Sequence, residues 1–174
     1  MKVLGIDPGS RTTGWGIVEK GPGGALKHVA NGAISVNETL ALPERLFFIS
    51  KGLEDVIREH CPEAVAVETV FTHKNVRSAI MLGHARGVAL LVAASGNIPV
   101  FEYAPMTIKL SVTGFGGAEK DQVKKMVAML LKTQAPEKND ASDALAAAIC
   151  HIHHIRGGTS IPAHIAANAP AAKQ

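Results

Sequence analysis

Aromatic residues are scarce in this chain. They make up 4 % of the sequence, with one tryptophan and one tyrosine. The hydrophobic fraction is nonetheless 47 %, so the core must be built from Val, Ile, Leu and Ala, which suits an α/β domain. Cysteine is nearly absent too. Cys61 and Cys150 show no paired spacing, which leaves no redox motif and no zinc ligand set. Both are expected to be buried, reduced thiols. Long apolar runs are missing. The longest, "GVALLVAAS", is far too short to cross a bilayer, and no signal peptide is visible. The expected protein is soluble and cytoplasmic, without a membrane partner. Charge of one sign is also lacking: 18 Lys and Arg stand against 15 Asp and Glu, a net +3. That balance permits a nucleic-acid partner without demanding one. At 174 residues the chain has the length of one domain with one sizeable core.

What is present is ordered. "KVLGID" reads as a buried strand, and "TGWGIVEK" as a second beyond the turn "PGSRT". "GPGG" is a tight turn leading into "ALKHVANGAISV", a third strand. Two short turns in succession predict an antiparallel meander. The period then changes. Pro43 suits the first turn of a helix, and Leu46, Ile49, Leu53, Val56 and Ile57 follow at helical spacing. "AVAVE" at 64–68 is a short buried strand, and Asn75 can cap a long helix through "VRSAIMLGHARGVALLVAAS". "IPVFEY" is a fifth strand, and "APMTIKLSVTG" makes one or two helical turns. "AEKDQVKKMVAMLLK" and "NDASDALAAAICHIHH" are the closing helices. Three antiparallel strands joined by two more through right-handed helical crossovers predict a mixed five-stranded sheet flanked by helices. Residues 1–156 form this domain. Residues 157–174, rich in Gly, Pro and Ala without periodicity, are expected to be a flexible tail.

Four carboxylates fall at element ends. Asp7 closes the first strand, Glu68 closes the fourth, and Asp140 and Asp143 open the last helix. Residues three apart on a helix share a face, so the last two can reach one point. Each also has an ordinary use: Asp7 in an Asx turn, Glu68 as a solvated strand end, Asp140 as an N-cap, and Asp143 as an acid favoured by the helix dipole. The topology can bring all four together, because the first and fourth strands are expected to be neighbours. Four carboxylates at one place repel and raise one another's pKa. Hard divalent cations such as Mg²⁺ resolve that repulsion, taking carboxylates, waters and substrate phosphate as ligands. Two such ions can activate a water and stabilise a departing 3′ oxygen at phosphorus. No Cys nucleophile or serine triad offers another chemistry.

"GIDPGSRTTGWG", "VAVETVFTHKNVRSAIMLGHARGVAL", "VFEYAPMTIKLSVTGFGGAEKDQV" and "NDASDALAAAICH", in that order, closely resemble the RuvC family of bacterial Holliday junction resolvases. The resemblance covers about residues 2–155. It implies a ribonuclease H-like fold and a homodimer that resolves four-way DNA junctions by paired symmetric nicks, in recombination and repair. It implies Mg²⁺, two ions per site, with Mn²⁺ as a substitute, and association with the RuvA–RuvB branch-migration complex. Asp7, Glu68, Asp140 and Asp143 would be its metal ligands and catalytic residues. Some relatives carry His where this chain has Asp140. The resemblance places Phe71 at the junction centre, where an exposed aromatic can stack on an unpaired base. It marks Lys109 and Lys120 as lysines beside the active site. Lys74, Arg77, Lys124 and Lys125 are further candidates for backbone contacts. The helix "LGHARGVALLVAAS", with small residues scattered through it, would pack against its twin across a two-fold axis. The histidines of "CHIHH" fall beyond the carboxylates and are expected to stay outside the chemistry. "DPGSRTTG" also resembles the phosphate hairpin of actin-like ATPases and sugar kinases, which need two such domains. A junction-binding module without cleavage and a related RNA-processing nuclease of the same fold are the other readings.

Overall fold

The computed structural model describes residues 1–69, 76–134, 136 and 138–156. The expected roles of Phe71, Lys74 and the cap Asn75, and the tail from Gly157, lie outside these residues.

The order is β1 (Lys2–Asp7), β2 (Thr12–Lys20), β3 (Leu26–Ser35), α1 (Leu42–His60), β4 (Ala64–Glu68), α2 (Val76–Ser95), β5 (Val100–Tyr103), α3 (Pro105–Thr113), α4 (Lys120–Leu131) and α5 (Asn139–Arg156). The sheet runs β3-β2-β1-β4-β5. β1, β2 and β3 pair antiparallel, whereas β4 lies parallel to β1, and β5 parallel to β4. This is the expected mixed sheet, with the first and fourth strands adjacent. The turn between β1 and β2 is held by the buried Thr13, whose hydroxyl donates to the Gly9 carbonyl at 2.8 Å.

Alternation along the strands sorts side chains into two cores. Leu4, Ile6, Ile17, Val65, Val67 and Val100 face α1 and α2. Val3, Val18, Ala64, Ala66 and Tyr103 face α3, α4 and α5. The second face also carries the glycines of β1 and β2. A Cβ on Gly5 would stand 1.8 Å from the Ala144 carbonyl oxygen, and one on Gly14 would stand 2.0 Å from that of Asp140. The sheet is thus thin where α5 crosses it, and the Ala-rich helix seats almost backbone to backbone.

Three expectations are corrected. "APMTIKLSVTG" forms a full nine-residue helix, α3, with proline in its first turn and the left-handed Gly114 (φ 77°) as its cap, the favoured ends of a helix. Cys61 is exposed, not buried, because it caps α1 in the left-handed region (φ 48°) at the surface. Helix α2, at 20 residues, is long and apolar enough by composition to cross a membrane. The helix has the extent expected of it, but its apolar character reaches beyond the short run "GVALLVAAS". Its Ala85, Ala89 and Ala93 are buried in the domain, and Arg86 pairs with Glu102 of β5. Those contacts are those of a helix packed on a sheet.

Candidate active site at the ends of β1 and β4

Parallel pairing places the carboxyl ends of β1 and β4 side by side, with Ile6 opposite Val67. Asp7 and Glu68 follow on the next positions and, by alternation, point to the α5 side. Both line a cleft of about 340 Å³ with Asp143 from α5, Lys109 from α3 and Lys120 from α4. Pro8, Thr69, Leu82 and Pro105 also line it, and none of them stands out in the sequence.

The cleft is electrostatically strained. Burial pushes the Asp7 carboxyl up to about 8, and Glu68, Asp143 and Asp140 add to the rise in that order. Glu68 is raised by burial and then by Asp143, while Lys120 and Lys109 oppose the shift. Lys120 Nζ lies 3.4 Å from Asp143 Oδ2, and this carboxylate is the main reason its ammonium is held above the usual lysine range. The lysine side chain stays 75 % exposed in that pair, so it is held at the mouth of the cleft and not sealed into it.

Asp140 and Asp143 do not reach one point equally. Asp143 lines the cleft. Asp140 lies one turn earlier, over Gly14, which pairs with Asp7 across β1 and β2. Its charge adds to the rise of the Asp7 carboxyl. Asp7 feels all three other acids, and Asp143 bears on both Asp7 and Glu68. Among the described residues, no three acidic, His or Cys side chains close on a single point at ligand distance. An open arrangement of hard oxygen donors suits a cation that keeps waters and takes substrate phosphate.

The other expected contacts are placed less centrally. Arg77 is exposed in the first turn of α2. Lys124 of α4 is half-buried and donates to Asn139 Oδ1 at 3.2 Å, while its neighbour Lys125 is exposed. The histidines stay outside the cleft lining. His151 is buried, and its Nδ1 lies 2.7 Å from the Tyr103 hydroxyl. Burial pushes that imidazole down to about 4 and the Tyr103 phenol up. Neutral His151 therefore ties α5 to β5, where Tyr103 neighbours Glu68 in register. Nothing in the spacing of "CHIHH" announces that tie. Burial also pushes the Cys150 thiol up to about 12, which removes it as a nucleophile.

The profile of crossover junction endodeoxyribonuclease RuvC matches residues 3–151. A protein of that name from Syntrophotalea carbinolica is 50 % identical over 153 residues, 88 % of this chain and 94 % of the relative. One from Myxococcus xanthus is 51 % identical over 166 residues, 94 % of this chain and 85 % of the relative. Among solved structures, T. thermophilus RuvC in complex with Holliday junction substrate aligns with a TM-score of 0.86 at 33 % identity, covering 91 % of this chain and 97 % of that one. A yeast mitochondrial Holliday junction resolvase shares the fold, with a TM-score of 0.63 at 12 % identity over 87 % of this chain and 77 % of its own. The chain belongs to the RuvC family of crossover junction endodeoxyribonucleases.

Proposed function

We propose that this protein resolves four-way DNA junctions by paired symmetric nicks, through metal-dependent hydrolysis of phosphodiester bonds. The observation that carries the reading is the convergence of Asp7, Glu68 and Asp143 in one cleft flanked by Lys109 and Lys120. Carboxylates that raise one another's pKa need cationic compensation, and a DNA phosphate adds further negative charge at the same place.

Asp7, Glu68, Asp140 and Asp143 would hold the metal. Two Mg²⁺ ions, or Mn²⁺ in their place, supply an activated water and charge stabilisation for the departing 3′ oxygen. The protein's own groups do the rest. Asp7 must lose its proton before it can serve as a ligand. Lys120, 75 % exposed at the mouth of the cleft, would meet a phosphate of the cut strand. Lys109 approaches from the α3 side. Arg77, with Lys74, Lys124 and Lys125, would hold flanking backbone, and Phe71 would stack at the junction centre as the family resemblance implies.

A homodimer fits a substrate with two equivalent strands. Helix α2 leaves Ile80 and Leu91 exposed, with open space around Gly83 and Gly87, and a twin helix could cover that stripe. Association with a RuvA–RuvB complex, a cytoplasmic setting and a flexible tail after the domain at 1–156 complete the proposal. The kinase-like alternative is not favoured, because the family match spans nearly the whole described chain.

The test is incubation with a synthetic four-way junction and Mg²⁺, with linear duplex as control. Symmetric nicking of the junction alone supports the reading, and equal cutting of duplex overturns it. Asp7→Asn should retain junction binding and lose more than about a hundredfold in cleavage, since it removes a ligand to the metal.

A further inference from the structure

The loop between α3 and α4 carries an exposed aromatic that the catalytic reading does not use. Phe115 is 65 % exposed, and beside it Met106 and Leu110 of α3 are 67 % and 54 % exposed. Exposed apolar side chains gathered on one helix and the loop that follows it ask for a partner.

This loop is built, not loose. Gly114 turns the chain at φ 77°. Thr113 Oγ1 donates to the Phe115 carbonyl at 2.9 Å and accepts from the Phe115 amide at 3.2 Å. The Ala118 amide donates to the same carbonyl at 3.2 Å. Two glycines seat the apolar side chains. A Cβ on Gly117 would stand 2.7 Å from the Phe115 ring, and one on Gly116 would stand 2.7 Å from Met106 Cγ. The backbone thus holds the ring at the surface and leaves its area open.

The charge around the patch selects the occupant. Lys109 on α3 and Lys120 on α4 bracket the loop in sequence, and both line the carboxylate cleft with Pro105, the neighbour of Met106. Met106 and Leu110 directly follow the cleft residues Pro105 and Lys109 along α3, so nucleotides adjoining a phosphate held in the cleft have this surface within reach. Aromatic rings beside a cationic track form the standard platform for unstacked bases, and apolar side chains there can wedge a base step. We propose that Phe115, supported by Met106, stacks on a nucleobase adjoining the scissile phosphate and so contributes to the choice of cleavage position. The inference rests on the junction-cleaving function proposed above and adds a base contact on the cleft's own rim, separate from Phe71.

Junctions carrying 2-aminopurine at successive positions near the branch point test it, in buffer without divalent cation so that binding is read without cutting. Wild-type protein should quench or shift the fluorescence at one or two positions. Phe115→Ala should abolish that signal while still binding, and Phe115→Trp should keep it. With Mg²⁺, Phe115→Ala should cleave about tenfold more slowly, Phe115→Leu should fall between, and melting temperatures should match wild type. Unchanged fluorescence and cleavage in Phe115→Ala would overturn the proposal. A lower melting temperature or a changed oligomeric state would also overturn it, because the patch would then serve the fold or a second copy. Failure of the wild type to cut any junction would count against the cleavage function, whereas the fluorescence signal would still decide the base contact.

Discussion

The two faces of the sheet are made from different residues. Towards α1 and α2, the central strands present Leu4, Ile6, Ile17, Val65 and Val67. Towards α5 they present Gly5, Gly14, Gly16, Ala64 and Ala66. The first face gains stability from buried aliphatic area, worth about 25 cal/mol per Å². The second gives up that area and gains proximity. It lets α5 lie close enough for Asp143 to share a cleft with Asp7 and Glu68. The site therefore depends on residues without side chains as much as on the carboxylates they bring together.

The comparison can be broken by adding one carbon. Gly5→Ala should have the largest effect. Its Cβ would collide with the α5 backbone at Ala144, where no rotamer gives relief. The expected cost is at the upper end of overpacking, about 3 kcal/mol, or roughly 6–12 °C in melting temperature for a domain of this size. Gly14→Ala should come next. It would press on the Asp140 backbone at the start of α5, so cleavage should fall by about tenfold or more for a smaller loss of stability, since a misplacement near 1 Å costs up to about 100-fold. Ile6→Val, on the opposite face, should be the mildest. It should cost about 1 kcal/mol in denaturant unfolding and leave junction cleavage at the wild-type rate. If Ile6→Val impaired cleavage as much as Gly14→Ala, the division of labour between the faces would be wrong.

The alternation that separates the faces is visible in the sequence, and so the strands were legible. β1 and β4 end at Asp7 and Glu68, as the apolar runs "VLGI" and "AVAV" require. The meander and the adjacency of β1 and β4 followed from turn lengths and crossovers. Helix α3 was underestimated because its apolar pattern is short, although Pro105 and Gly114 mark its two ends. Asp140 and Asp143 are paired in the sequence by spacing alone. Helical spacing gives them one face, but the seat of Asp140 on Gly14 is a tertiary contact that spacing cannot contain. The Lys120–Asp143 pair and the Tyr103–His151 tie join residues 23 and 48 positions apart, and local pattern carries no signal for either.

In the function proposed above, the carboxylates of the cleft hold cations, and Asp7, which feels the other three acids, is the most strongly affected. Its carboxyl is raised from 3.8 to about 8. Between those values the folded protein keeps a proton that the unfolded chain has released. Stability from this group is therefore present at low pH and lost as pH rises through the folded value. The direct measurement is thermal melting of wild type and Asp7→Asn from pH 4 to 9, with and without saturating Mg²⁺. Without metal, wild type should fall progressively below Asp7→Asn as pH rises to about 8 and stay below it beyond. Mg²⁺ should restore wild type at high pH and do much less for Asp7→Asn. Parallel pH curves for the two proteins, or equal stabilisation of both by Mg²⁺, would contradict the account.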